Sequence, residues 1–398
     1  MSRVKIFVAC VTALLIGWSG YTLYCYFLDL TYPTVILQGI EDGGYCAGDV
    51  QCVLSGSDGY KVSNVSIWID GKPAITHHII NKKEFEYSFP VSTKILTDGK
   101  HVLKIAVQDG SFRKNTTTKE LQFMVDNIPL RVAFVRADAV HKVFQGRTLH
   151  VQFQSNKPLK EAYIETLSQR YPCVREAENS PVYECFIPIS SDENPNEHLF
   201  TVYAMDNVGA KATLNNKFQV VMYPFKKQLI GPRAKITETD TDRGERSLNE
   251  DLQKVTQASP CKKLWKSSFF VPCDQTSIST PFGTLRTTQE RGKYRHDAVD
   301  FTAPPRSIAW ACQDGIVAIK DSYMHSGNTV VIDHGCGVLS LYFHLDNFSD
   351  IAVGEPIKKG KPIGRIGHTG YATGDHLHWE LRVNNVAVDP MQWTTYDF

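Results

Sequence analysis

The chain has 398 residues, 42% hydrophobic and 21% charged, with a formal net charge of +1. That length exceeds one ordinary core and predicts two or three domains, and the composition is that of a folded globular protein without low-complexity tracts. Near-neutral charge, with no basic run interleaved with aromatics, excludes nucleic acid as an expected partner.

Arg3 and Lys5 precede a charge-free apolar run from Ile6 to Leu28, longer than the about 20 residues a helix needs to cross a bilayer. A cleaved signal peptide is the alternative. The run exceeds a usual signal core, however, and the bulky Tyr24, Tyr26 and Phe27 stand where small residues would mark cleavage. Residues 1–31 are therefore expected to be a retained, single-pass anchor. With Arg3 and Lys5 on one side and no further Lys or Arg until Lys61, the positive-inside rule sends the rest of the chain out of the cytoplasm. Eight of the ten cysteines lie beyond the anchor in close pairs: Cys46/Cys52, Cys173/Cys185, Cys261/Cys273 and Cys312/Cys336. An even number in an oxidising compartment predicts disulfides, nearest-neighbour pairing being the simplest connectivity.

From Tyr32 to Met222 apolar and polar residues alternate between turn signals, as in Ser66–Asp70 followed by Gly71. This pattern predicts a mostly β chain with short strands arranged in β-sandwiches. His101–Asp109 (HVLKIAVQD) aligns with His198–Asp206 (HLFTVYAMD) at an offset of 97 residues (101 to 198). That offset is the size of one immunoglobulin-like domain of about 100 residues, which predicts two such sandwiches at 32–127 and 128–222. Residues 223–260 carry the charged run TETDTDRGERSLNEDLQK. They read as a solvated linker, with a short helix over Ser247–Gln257, that holds the C-terminal domain away from the sandwiches. From Cys261 to Phe398, glycine-punctuated strands predict an antiparallel β domain.

Seven of the thirteen histidines fall in this last segment: His296, His325, His334, His344, His368, His376 and His378. On a strand, residues two or four apart share a face. His376 and His378 would emerge together, with Leu377 and Trp379 turned to the core. His296 and Asp300 would do the same, with Val299 and Phe301 opposite. His344 ends the strand GVLSLYFH. Catalytic zinc takes three His or carboxylate ligands and leaves a position for water; His296, Asp300 and one member of the His376/His378 pair supply such a set. Spacing leaves open which member that is. The remaining histidines suit proton transfer and oxyanion stabilisation.

In family order, KLWKSSFFVPC, PFGTLR, RHDAVDFTAPP, ACQDGIVA, VVIDHGCGVLSLYFHL and KKGKPIGRIGHTGYATGDHLHWEL resemble the M23 (lysostaphin/LytM-type) metallopeptidases, which cut peptide bonds in peptidoglycan. The resemblance implies an M23 peptidase domain at 261–398 with Zn2+ on His296, Asp300 and His378, and His344 and His376 as the catalytic histidines. Two departures stand out: Ala298 occupies the glycine of the family's HxGxD, and Asp375 replaces a frequent proline before the HxH pair. Asp375 is expected either to alter substrate preference or to hydrogen-bond His376. His334 is expected to be structural, and His325 and His368 to be loop residues near the groove.

The resulting expectation is a zinc endopeptidase acting on peptidoglycan stem peptides or cross-links. It would be held in the cytoplasmic (inner) membrane with its domains facing the periplasm or cell wall. The alternative is a non-catalytic regulator of other wall hydrolases, which the intact five-residue set disfavours. The sandwiches are expected to be spacers, with a protein or polymer partner as the other reading.

Overall fold

The computed structural model describes residues 2–136, 141–229, 238–274, 277–288 and 292–398; the side chains of Arg3, Lys5 and the charged run 238–246 lie outside the described residues. The chain is mostly β, with α-helices at Ser2–Leu28, Glu238–Ala258 and Pro390–Thr395. Helix Ser2–Leu28 has 27 residues, about 40 Å at 1.5 Å per residue. Its Cys10–Leu28 part is long and apolar enough to cross a membrane, by length and composition. Leu14, Leu15, Ile16 and Trp18 are exposed rather than packed on protein.

The chain divides into two compact units, Met1–Pro129 with Asn207–Ala210, and Leu130–Asp206 with Lys211–Phe398. The first is built on one six-stranded sheet, not the two separate sheets of an ordinary sandwich. Its strands Asp49–Ile69 and Lys72–Ser92 run 21 residues each. Their pairing register breaks between Ser57 and Val62, so the two halves of the long strand can cover one core made of Cys52, Leu54, Val65, Ile67, Ile105 and Phe123.

In the second unit a five-stranded and a four-stranded sheet face each other over Val151, Phe153, Ile164, Cys185, Val202 and Val220. The internal repeat is visible in the strand pairing. Val62 pairs with Asp109 in the first copy and Leu159 with Asp206 in the second, both at the 97-residue offset (62 to 159, 109 to 206). The aligned His101 and His198 each lie against a phenylalanine of the next strand, Phe123 and Phe218.

The rest of the second unit is a ten-stranded sheet that includes Val299–Thr302, Val338–Phe348 and Leu377–Val383, with a three-stranded sheet of Lys227–Leu229, Leu285–Thr288 and Gly292–Arg295 beside it. Three sequence expectations are corrected here. The first concerns spacing: the sandwich that begins at Leu130 is packed directly on the C-terminal sheet. Phe186 lies 5.4 Å from Trp265 and 5.8 Å from Trp393, ring to ring. Trp393 Nε1 donates to Thr148 Oγ1 (3.1 Å), and Gln392 exchanges two hydrogen bonds with the Thr148 backbone. Lys263 Nζ reaches the buried Glu184 at 2.9 Å. These residues are scattered from 148 to 393, so no local pattern announces that they share a core.

The second correction concerns 223–260. Lys227–Leu229 is a strand paired with Leu285–Thr287, and the helix seats Leu248 and Leu252 on Ile319, Val331, Leu339 and Leu341. A few apolar residues in a charged run are enough to dock it, because the sheet offers an apolar face. The third concerns the cysteine pairing: no disulfide is formed among the described residues, Cys46 stands beside Cys52 and Cys173 beside Cys185 as expected, and the departure lies in the last four. Burial pushes Cys52 and Cys312 up to about 11 and Cys273 to about 12. Cys336 neighbours Cys261 electrostatically rather than forming the expected bridge to Cys312. Its N–H donates to Pro260 O at 2.8 Å and so draws Cys261 alongside.

His334 is structural, as expected: it is fully buried, Nδ1 donates to Asp314 O (2.7 Å), and Nε2 faces Ser340 Oγ (2.8 Å).

This packing can be tested at two positions. Phe186→Ala removes a ring shared by both layers and should cost about 3–5 kcal/mol, read as a lowered urea midpoint of the intact chain with unchanged slope. Burial lowers the His334 pKa from 6.5 to about 4. Its folded value lies below the unfolded one, so the unfolded chain takes up the proton first. Stability is complete above pH 6.5 and is lost as pH falls toward 4. Thermal unfolding of His334→Gln should show a flatter dependence across that window than the natural protein.

Candidate active site

The site begins with strand pairing. Val299–Thr302 lies antiparallel to Leu377–Val383, and the register sets Asp300 opposite His378. Alternation then turns Val299, Phe301, Leu377 and Trp379, all at most 1% exposed, into the core, while Asp300 and His378 share the other face. His296 directly follows the strand Gly292–Arg295, which pairs with Leu285–Thr288. Its N–H donates to Thr284 O (3.0 Å) and its carbonyl accepts from Gly283 (2.7 Å).

These three side chains converge on one oxygen. Asp300 Oδ1 is 3.0 Å from His296 Nε2 and 3.0 Å from His378 Nδ1. The other carboxylate oxygen, Oδ2, accepts from Arg286 Nη2 at 3.0 Å, and Arg286 is itself held by Thr280 Oγ1 at 2.8 Å. Burial alone would raise the Asp300 pKa, but the close approach of His296 and His378 outweighs it and holds the carboxyl well below its usual range. Burial drives His296 down to about 4 despite the neighbouring carboxylate.

His344 sits where the strand Val338–Phe348 loses register with Gly327–Asp333, between Tyr342 and Leu345. Its φ of +62° is a left-handed conformation that costs a non-glycine residue about 1–3 kcal/mol. The irregularity aims its ring at the same groove. Nδ1 lies 2.9 Å from Thr369 O and must donate to that carbonyl, which leaves Nε2 with the lone pair. Thr369 is fixed by a close backbone approach: a Cβ on Gly370 (φ +75°) would lie 2.4 Å from Gly327 N, so only glycine fits there. His376 repeats the arrangement, with Nδ1 on Gly374 O at 2.8 Å and Nε2 3.9 Å from Asp300 Oδ1. The His344 and His376 rings are 4.9 Å apart, and burial followed by the charges of His378 and His376 lowers the His344 pKa to about 3.

All five residues singled out from the sequence therefore line one open groove of about 810 Å3, together with Tyr371, Thr373 and Asp375 among others. Ala298 is fully buried, and its backbone is not left-handed, so its methyl group is accommodated without strain. Asp375 pairs with His368 (Oδ1 to Nδ1, 2.5 Å), not with His376. His325 stacks on Tyr371 at the groove wall.

Sequence reasoning missed Arg286, Phe343 and the helix residue Asn249. Phe343 lies flat on the His378 ring (4.9 Å, 6°). Asn249 accepts from Arg382 Nη1 (3.2 Å) and lines the groove. Arg286 stood within a quoted motif, but nothing in its spacing pointed to Asp300.

The donor set suits zinc. Two imidazoles and a carboxylate present ligand atoms within 4.8 Å of one another, and two histidines with one carboxylate are a known ligand set of catalytic zinc. His296 Nε2 is buried and makes no hydrogen bond of proper geometry, a cost that a metal bond would remove. His378 Nε2 lies 4.0 Å from Glu380, in the outer position from which a carboxylate orients a metal-binding imidazole.

Residues 294–390 match the model described as peptidase family M23. A DD-carboxypeptidase/endopeptidase Mpg from Neisseria meningitidis is 38% identical over 120 residues, covering 30% of this chain and 27% of that protein. A peptidoglycan DD-endopeptidase ShyC from Vibrio cholerae is 34% identical over 120 residues, covering 30% and 28%. The match thus spans little more than a quarter of the length of these relatives. A crystal structure described as a peptidase M23 from Pseudomonas aeruginosa aligns at 24% identity and a TM-score of 0.48, over 64% of this chain and 96% of that one. On the family match over residues 294–390, this chain carries a peptidase family M23 domain in its C-terminal part.

Proposed function

We propose that this domain is a zinc-dependent endopeptidase that hydrolyses peptide bonds in peptidoglycan stem peptides or cross-links. His296, Asp300 and His378 are its metal ligands, and His344 and His376 its catalytic residues. The observation that carries the reading is the convergence of two imidazole nitrogens on Asp300 Oδ1 beside two further imidazoles whose Nδ1 atoms are tied to backbone carbonyls. Zinc bound there supplies Lewis acidity, polarising a carbonyl and acidifying water. His344 and His376, with Nε2 free for chemistry, take a proton from the attacking water and return it to the leaving amine. Arg286 keeps Asp300 ionised and oriented. The open groove suits a branched peptide held in a net, and the relatives named as peptidoglycan DD-endopeptidases support that substrate class. Helix Ser2–Leu28 serves as the membrane anchor, with the domains on the outer side of the cytoplasmic membrane.

The test is product release from defined sacculi, read by mass spectrometry, alongside zinc content. His296→Ala should lose both metal and activity. His344→Ala should keep stoichiometric zinc and lose activity by at least about 100-fold. Zinc-loaded protein that releases no peptide from any sacculus type would overturn the reading. Arg286→Ala should weaken zinc affinity about 10–100-fold in a chelator competition, with the circular dichroism spectrum unchanged.

A further inference from the structure

A second set of carboxylates lies in the first unit, at the foot of the N-terminal helix. Asp29 directly follows Leu28, Asp58 stands where the long strand changes register, and Asp109 ends the strand Gly99–Asp109. One oxygen from each falls within 4.8 Å of the others. Two oxygens at about 2.4 Å from a single ion are at most about 4.8 Å apart, so the three can meet on one cation. Asp109 is 1% exposed and Asp58 9%.

The remaining bonds of these groups are accounted for. Asp29 Oδ1 accepts from Thr31 N and Oγ1 (2.9 and 2.6 Å), and Asp58 Oδ1 accepts from Tyr60 N (2.9 Å). Asp109 accepts from Ser111 N and Oγ through Oδ1 (3.1 and 3.0 Å) and from Asn115 Nδ2 through Oδ2 (2.9 Å). Oδ2 of Asp29 and Oδ2 of Asp58 are buried and make no hydrogen bond. Among the described residues no Lys, Arg or His pairs with any of the three. Gathering three carboxylates without a counter-charge costs several kcal/mol per ion by desolvation alone, and burial with its neighbours' charges raises the Asp58 pKa.

The internal repeat says what belongs there. The two pairings Val62–Asp109 and Leu159–Asp206 fix the offset at 97 residues, so Asp58 corresponds to Ser155, Tyr60 to Lys157 and Asp109 to Asp206. In the second copy Lys157 Nζ sits 2.6 Å from Asp206 Oδ2, with the two side chains 6% and 0% exposed. That copy carries its own cation; the first has added carboxylates and has no ammonium at the matching position.

We propose that Asp29, Asp58 and Asp109 bind a hard divalent cation, calcium in the first instance, that ties the end of the N-terminal helix to the first β unit. Oxygen-only donors suit calcium, and magnesium is the alternative within the same chemistry. The helix end already rests on this unit through Phe112 N to Tyr26 O (2.9 Å) and ring contacts of Tyr26 with Tyr60 and Phe112. A cation on Asp29 would stiffen that junction.

The test uses the full-length, zinc-loaded protein in detergent micelles, freed of calcium with EGTA and titrated calorimetrically with CaCl2 and, separately, MgCl2. One saturable site for either ion, with a rise in Tm on binding, is expected. The double substitution Asp58→Ser/Tyr60→Lys, which copies the second repeat, should abolish the binding while keeping the fold. Should that variant not fold, Asp58→Asn and Asp109→Asn carry the test, each expected to weaken binding at least about tenfold. No saturable heat with either ion up to about 10 mM, beyond the weak end of extracellular calcium sites, would overturn the proposal, as would unchanged binding in the folded variants.

Discussion

The candidate active site depends on the burial of one carboxylate. Asp300 stays ionised although buried because three nitrogen-bearing side chains close around it: His296, His378 and Arg286. A buried charge without partners would be expelled or neutralised, so each partner is needed for the others to be placed. The antiparallel ladder supplies His378 at no cost in chain entropy, since the pairing that forms the sheet sets the two residues opposite each other. The hairpin before it delivers His296 and Arg286, one to each carboxylate oxygen. An arrangement that loads two imidazole nitrogens on one oxygen is poor as a hydrogen-bond network and good as a cation cradle.

A second constraint is the shared aromatic core of the second unit. Phe186, Trp265, Trp393 and Phe398 pack ring on ring, and helix Pro390–Thr395, capped by Asp389 on Met391 N, brings Trp393 into it. The sandwich beginning at Leu130 is in this way part of the body that carries the groove rather than a spacer outside it. The helix Glu238–Ala258 completes the other side by docking Leu252 on the sheet and placing Asn249 at the groove. The groove walls come from segments far apart in the chain.

The two copies of the repeat illustrate how one fold handles buried acid. Each ends a strand in aspartate at the same ladder position. One neutralises it with Lys157, two residues beyond the strand Thr148–Ser155; the other gathers Asp29 and Asp58 beside it.

Much of this was legible in the residues alone. Alternation gave the β character, the charge-free run gave the first helix, and the period of 97 residues gave the repeat. Spacing of two put His376 with His378, because strand geometry makes that offset share a face whatever the fold; His296, expected on one strand with Asp300, instead reaches it from the connection between Gly292–Arg295 and Val299–Thr302. Local pattern could not say that Arg286 would reach Asp300, that Asp375 would turn to His368, that Cys336 would lie beside Cys261, or that a charged segment would pack. Those outcomes depend on which surfaces meet after the strands have paired. Residue periodicity is a property of one element and is written in the sequence; the partner of a buried side chain belongs to the packing of several, and only the tertiary structure decides it.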